Sequence, residues 1–540
     1  MNPPPEPELV ARDWTMKLVG QPSVTNSPGE AAFGPWLRGE LQARPAFAEQ
    51  PQQVWLEPTL HDAGRTRASV CALARGSGSS TVLLTGHYDV VGVTNYGDLA
   101  AQAFSPGELA TRLAASLSPE HDGPLLADLE SGNFMFGRGS LDMKSGLAAG
   151  LAVLEAWTAS GNAGNLLFAA VPDEEENSHG MRSLVRQLPE IERRYGLEIV
   201  AAVSLDAEVD PAGDGRGQAV FLGSVGKVLP SMLLLGRPAH AGAPFDGLSA
   251  ALLLAEVIQR VELHPDFIDP HLAEPGPPAA LLQLSDLKDQ YDVTTPEALW
   301  CTFNVLLRAR TPEDVLEQLR GAVQAGLASA MTELEARARA SGMLMQAAAV
   351  QVLTYAQVLT LAQARGGQAA LDRLSALAAA GAALDTPRLC QQLTLAAARE
   401  ANLSGPAAIL GFGSLPYPVA QLGQDASSAA LRTAVEHAVT EVEAQTGVSV
   451  RLRPFFPGVS DMSFLGGAAA TNVLRANTPA WESRMTLEES PLPTLRVPVV
   501  NAGPWGRDYH QRGERVFAPY TFGVLPQLVM AIARARLAQT

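Results

Sequence analysis

Five short stretches of this chain carry side chains able to hold divalent metal and to move protons. In Gly86–His87–Tyr88–Asp89 an imidazole and a carboxylate stand two residues apart, so on an extended backbone both point the same way. Asp142 is the only carboxylate in the Gly-rich turn Gly137–Arg138–Gly139–Ser140–Leu141–Asp142–Met143–Lys144–Ser145–Gly146. Asp173–Glu174–Glu175–Glu176–Asn177 directly follows an apolar run, Asp206 ends another, and His510 closes Trp505–Gly506–Arg507–Asp508–Tyr509–His510. A His, Asp, Glu, Asp, His set offers nitrogen and oxygen donors without thiolate. It suits zinc, or cobalt or manganese, at two neighbouring positions that share one carboxylate.

Three of the stretches also have a plainer reading. Asp142 alone is most simply a helix N-cap, His87 and Asp89 a hydrogen-bonded pair, and the acidic run a solvated helix start. The acidic run, however, follows its strand without a linker and should stand at the sheet edge. Packing its carboxylates there is costly unless cations neutralise them. Adjacent side chains diverge, so one glutamate can bind metal while its neighbour transfers a proton. Asp89 is either a ligand or the acceptor for the imidazole N–H of His87. The second role is preferred, because a ligating histidine needs such a partner to fix its tautomer.

The elements that must position these residues read as an α/β domain. Thr81–Thr85, Leu166–Val171 and Ile199–Leu205 are apolar runs of the kind that form buried parallel strands, with helical stretches Gly146–Ala159 and Met181–Tyr195 between them. Earlier, Leu9–Leu18 and Ala31–Arg44 suggest helices, and Val54–Leu56 and Ala68–Leu73 strands. Strand ends in open α/β sheets face a crevice, and four strand or loop ends here carry the internal candidates. After the Gly/Asp-rich linker Pro211–Gly217 a second unit is expected, starting with strands at Val220–Leu222 and Val228–Leu235. A helix Ala250–Leu263, a strand Trp300–Leu307, a helix Pro312–Ala338, a helical Leu344–Ala380 and a last strand Ala407–Phe412 complete it. The predicted division is a catalytic domain of 1–212 and 420–540, with a smaller α/β domain, 213–419, inserted into it.

The 540 residues are 47% hydrophobic and 18% charged, a folded composition, with a formal net charge of −17. That charge argues against nucleic acid and against an anionic membrane surface as partners. Cys71, Cys301 and Cys390 are scattered and support neither a disulfide framework nor a thiolate zinc site. The N-terminal residues lack the basic start and apolar core of a signal peptide, and no apolar run approaches membrane-spanning length. A cytoplasmic protein is expected. A Ser-based hydrolase is disfavoured because no Gly-x-Ser-x-Gly elbow occurs.

The ordered motifs Gly-His-Tyr-Asp, Gly-Arg-Gly-Ser-Leu-Asp-Met-Lys and Asp-Glu-Glu, then Asp206 and His510, resemble the dinuclear zinc metallopeptidases. That family includes aminoacylases, acetylornithine deacetylase, succinyl-diaminopimelate desuccinylase, glutamate carboxypeptidases and tripeptidase. The phrases Gly137–Lys144, Glu175–Met181, Pro457–Phe464 and Gly503–Val516 look most like its arginine-utilisation, RocB-type branch. The resemblance implies two divalent metal ions, most simply Zn2+. Asp142 would bridge them, His87 and Asp206 would complete one, and Glu175 and His510 the other. Glu174 would be the general base and Asp89 would orient His87. The alternative register is Glu175/Glu176, and Glu208 competes with Asp206. The Asp142–Met143 peptide becomes a candidate cis bond. His240, in Pro238–Ala239–His240–Ala241–Gly242, matches the histidine that polarises the scissile carbonyl in relatives, often from the partner subunit, which implies a homodimer through the inserted domain. A substrate carboxylate would meet Arg308 or Arg310. The implied reaction is hydrolysis of an amide in a short peptide or N-acyl amino acid, within arginine or amino-acid catabolism. The alternative is a catalytically silent member of the fold that serves as a binding or assembly module.

Overall fold

A computed structural model describes residues 6–540 apart from 63, 210–217, 273–275, 346–348, 468–470 and 488–489. The linker expected at 211–217, and with it the expected boundary at 212/213, lies outside the described residues. The chain divides into two units. One comprises Met1–Ser224, Ala420–Ala468 and Pro491–Thr540, the other Val225–Val419 and Ala469–Ser490.

The first unit is built on an eight-stranded mixed sheet. In order across the sheet the strands are Val54–Pro58, Ala68–Ala74, Ala163–Val171, Ser77–His87, Glu198–Ser204, Val499–Asn501, Ala219–Phe221 and Arg451–Arg453. The four from Ala163–Val171 to Val499–Asn501 run parallel. Their apolar runs are continuous because both faces are covered. Val82, Leu84, Phe168 and Val203 pack in one core with residues of the helices Pro7–Gly20, Lys144–Ala159, Ala426–Thr446 and Leu525–Leu537. Leu83, Leu167, Ala169 and Ala202 meet Met181, Leu184 and Leu188 of the helix His179–Tyr195 on the other face. The helix Lys144–Ala159 is buried from Lys144 to Leu154. Gly146 permits its close approach to the sheet, because a Cβ there would stand 2.1 Å from the carbonyl oxygen of Leu205.

A small four-stranded sheet, Phe134–Phe136, Arg515–Phe517, Trp505–Arg507 and Glu208–Val209, accompanies the large one. It frames the loop that carries His510. The strand expected at Val220–Leu222 belongs to the first unit rather than the second. Ala219–Phe221 pairs parallel with Arg451–Arg453 and touches Val499–Asn501, so it completes the large sheet.

In the second unit Gly226–Val228 and Pro230–Leu235 pair antiparallel with one edge of Ala298–Leu307, and Ala280–Asp286 with its other edge. Ala407–Phe412 and Gln351–Thr354 extend the sheet. Of the stretch expected to be helical, Leu344–Ala380, residues 346–348 lie outside the described residues, Gln351–Thr354 is a strand, and Tyr355–Ala380 is a helix interrupted at Gly367, where φ is 61°. The segment Ala469–Ser490 joins this unit and not the first. Asn477, in the helix Asn472–Asn477, accepts the Ala356 amide at 3.1 Å, which ties the segment to the start of Tyr355–Ala380.

Candidate metal centre

His87 ends its strand with the imidazole turned across the carboxyl edge of the sheet. Nδ1 lies 3.0 Å from the backbone carbonyl oxygen of Asp89 and 3.6 Å from that residue's carboxylate. A carbonyl oxygen only accepts, so Nδ1 carries the proton and Nε2 is the metal-facing atom. Nε2 stands 3.1 Å from Asp142 Oδ1, 3.9 Å from Glu174 Oε2 and 4.0 Å from Asp206 Oδ1. On the other side, His510 Nε2 lies 3.1 Å from Asp142 Oδ2 and 3.1 Å from Glu175 Oε1. The two oxygens of Asp142 are therefore divided between two imidazoles. Donor atoms of His87, Asp142 and Glu175 all fall within 4.8 Å of one another.

Asp142 does not cap a helix. Lys144–Ala159 starts after Met143 with no side-chain cap, and the Asp142–Met143 peptide is cis. Gly139 turns the chain at φ 77°, in the left-handed region, just ahead of it. Asp89 does more than orient His87. Its Oδ1 accepts the Glu174 amide at 3.1 Å, and its Oδ2 accepts the Glu175 amide at 3.3 Å and the Thr25 hydroxyl at 2.9 Å. Asp89 thus meets the imidazole through its backbone carbonyl oxygen, in place of the expected carboxylate, and holds the acidic turn through its carboxylate.

Burial by itself would lower the imidazole of His87 and raise every carboxyl here. For His87 the hydrogen bonds to Asp142 and Asp89 and the charge of Glu174 prevail, and its pKa lies well above the ordinary value. For Asp142 the two histidines outweigh burial and hold it well below. Glu174 is driven well above its usual range by burial, then by the charges of Asp206, Asp461 and Glu175. Asp206 is pushed up to about 6 by burial and by Asp142. Carboxylates so crowded, with only two imidazoles facing them, fit an N/O site for divalent cations.

The structure distinguishes the two glutamates. Glu175 meets His510, Glu174 faces His87, and Glu176 is exposed and accepts a hydrogen bond from Asn26 Nδ2. Glu208 is buried and lies 3.4 Å from Arg453 Nη1. His179 Nε2 is 2.7 Å from the Leu60 carbonyl oxygen. The remaining candidates lie in the second unit. Arg308 is buried, and the amides of Arg308 and Arg310 both donate to Asp269 Oδ2. The Arg310 guanidinium bonds the Asp266 carbonyl at 3.0 Å and Gln318 at 2.7 Å. His240 is exposed, and its Nδ1 accepts the Gly242 amide at 3.0 Å.

Several supporting residues escape sequence reasoning. Glu514 Oε1 accepts the amides of Leu141 and Asp142, both at 3.2 Å, and Arg138 pairs with its other oxygen. Asn501 brackets Asp206, its Oδ1 accepting the Asp206 amide and its Nδ2 donating to the Asp206 carbonyl, each at 2.9 Å. Asp461 is buried, with Ser178 as polar neighbour, and burial lifts its carboxyl to about 8. Asn501 ends a parallel strand, so the strand-end signal that found Asp206 could have found it. Glu514 and Asp461 carry no such local signal.

A family model described as Peptidase family M20/M25/M40 matches residues 83–479, beginning in the strand that ends on His87. The chain is 30% identical to the uncharacterized protein YqjN of Bacillus subtilis (strain 168), over 100% of this chain and 98% of YqjN. It is 29% identical to Protein RocB of the same organism, over 98% of this chain and 94% of RocB. Among solved structures, a tripeptidase of Staphylococcus aureus shares the fold with a TM-score of 0.53 at 15% identity, covering 98% of this chain and 99% of that one.

Proposed function

The chain belongs to peptidase family M20/M25/M40, and on that premise we propose that it hydrolyses an amide bond of a short peptide or N-acyl amino acid with two divalent metal ions, most simply zinc. The observation that carries this reading is Asp142, whose two oxygens face His87 and His510 at 3.1 Å each. His87, Asp206 and Asp142 would hold one ion, and Glu175, His510 and Asp142 the other. Bound there, the ions supply Lewis acidity that makes water acidic and a carbonyl carbon electrophilic.

The rest of the chemistry falls to the protein. Glu174 takes a proton from the attacking water, which forms the bond to the carbonyl carbon, and returns it to the leaving nitrogen as the amide bond breaks. Glu174 is placed for this by the hydrogen bond its backbone amide donates to the Asp89 carboxylate, while the Asp89 carbonyl oxygen fixes the tautomer of His87. His240 is the oxyanion donor. Its Nδ1 accepts from the Gly242 amide, which leaves Nε2 as the ring nitrogen that donates. A homodimer through the second unit would supply His240 from the partner subunit. The motif likeness to the arginine-utilisation branch directs the substrate search to arginine and related amino acids.

The test is metal analysis of purified protein by mass spectrometry, joined to a screen of short peptides and N-acyl amino acids on zinc- and cobalt-loaded enzyme. Bound divalent metal with metal-dependent release of an amine supports the reading. A metal-free protein that gains no hydrolysis from added ions sinks it.

A further inference from the structure

Arg67 stands just before the strand Ala68–Ala74 and is only 3% exposed. Its guanidinium serves three carboxylates. Nε and Nη2 grip Asp62 at 2.9 and 2.7 Å, and Nη1 reaches Glu30 at 3.2 Å and also Asp173. Asp173 is the pivot of the turn that carries the glutamates. It has φ 70°, its carbonyl accepts the amides of Asn177 and Ser178, and its Oδ2 accepts the His179 amide at 3.1 Å. One carboxylate oxygen of Asp173 thus ties the turn to Arg67, and the other ties it to the start of the helix His179–Tyr195.

We propose that Arg67 is a positioning residue for Glu174 and Glu175, setting through Asp173 where the two side chains stand relative to His87 and Asp142. The inference rests on the reading of Glu174 as base and Glu175 as metal ligand. Asp89 holds the turn at the amides of Glu174 and Glu175, and Arg67, from the residue before another strand, adds an anchor at Asp173. Only a planar guanidinium can grip Asp62 with two parallel bonds and reach Asp173 with the third nitrogen. A lysine offers one point charge on a flexible stem. Small displacements of a base cost turnover steeply, because an error of about 1 Å can lower a rate on the order of 10²-fold.

Removing the guanidinium outright would leave buried carboxylates without a cation and endanger folding, so the informative variants are Arg67→Lys and Asp173→Asn, alone and together, beside Glu174→Gln. Each is checked for folding by circular dichroism, then for kcat, KM, bound metal and the visible spectrum of the cobalt-loaded protein. The expected result for both singles is folded protein with kcat roughly 10–10²-fold lower, KM little changed and a displaced cobalt band. The double variant should be no worse than the worse single, since both cut one tether. Wild-type kcat and cobalt spectra in both singles, with only thermal stability reduced, would overturn the proposal and leave Arg67 a structural brace. If Glu174→Gln keeps full turnover, the base assignment fails instead, and a displaced cobalt band in Arg67→Lys still supports the tether to Glu175. A wild-type protein that binds no cobalt removes the reading and the inference with it.

Discussion

Glu174 and Glu175 are chemically identical and adjacent, and only their surroundings tell them apart. Glu175 Oε1 lies 3.1 Å from the imidazole of His510, whereas Glu174 faces His87 at 3.9 Å across the region where Asp206 also points. Glu174→Gln is therefore expected to retain metal and lose turnover by ~10²-fold or more, the scale for a positioned general base. Glu175→Gln should instead lower metal content, and Asp142→Asn should lose most of both ions because each of its oxygens serves one side. Metal analysis and kcat on the three variants check this together. An Asp142→Asn protein with full metal content and activity would dismiss the centre. At this scale much was legible, because His87, Asp142, Glu174 and Asp206 each follow a strand or a Gly-rich turn. Glu514 was not. It reaches the Leu141 and Asp142 amides from a distant stretch of chain, and nothing local in its own sequence marks an acceptor for another loop's backbone.

Elements hold these side chains by bonds that strand propensity does not encode. Asn501, at the end of Val499–Asn501, satisfies both the amide and the carbonyl of Asp206. Asn501→Ala leaves two buried backbone groups unpaired, at about 1–3 kcal/mol each. Lower thermal stability and weaker metal binding at the Asp206 side are expected, read by calorimetry and by metal titration. Unchanged values in both would mean that water replaces the side chain. The helix Pro28–Gln42 contributes Glu30, which has no exposed surface and whose carboxyl is pushed up to about 8, first by burial and then by the charge of Asp89. From its ordinary value of 4.5 up to that point, the folded protein keeps a proton that the unfolded chain has lost. Its contribution to stability is thus full below 4.5 and is lost as pH rises through 8. Asp62, held below its ordinary value mainly by Arg67 against burial, has the opposite sign and acts only at lower pH. Glu30→Gln should therefore flatten the decline in unfolding free energy between pH 5 and pH 8, an effect of at most ~1.4 kcal/mol per pH unit. An unaltered slope in denaturant titrations would show that Glu30 ionises normally. The same long-range logic explains the misplaced strand. Ala219–Phe221 reads locally as a strand, but its partners Arg451–Arg453 and Val499–Asn501 come much later in the chain, so sequence pattern shows that it is a strand without showing which sheet it completes.

At the scale of the whole molecule, the proposed oxyanion donor and the candidate centre belong to different units. His240 belongs to the second unit, is exposed, and has Nδ1 engaged by the Gly242 amide. A neutral ring fixed in that way presents an Nε2 proton, as an oxyanion donor requires. Its position was legible from the Pro-Ala-His-Ala-Gly phrase. The subunit it serves was not, because that depends on assembly rather than on local sequence. His240→Ala should leave metal content intact and lower kcat by roughly 10²–10³-fold, the range for loss of one oxyanion donor. Two arrangements deliver the histidine, and they differ on mixing. If it acts within its own chain, no combination of His240→Ala and Glu174→Gln subunits regains activity, since every site lacks one of the two groups. If it acts across a dimer, co-assembled heterodimers contain one site with both groups intact, and part of the wild-type rate returns. Mixing at several ratios, with the dimer fraction followed by light scattering, reads this directly. Normal turnover in His240→Ala would remove the residue from the mechanism, and the oxyanion donor would then have to be sought among the groups of the first unit.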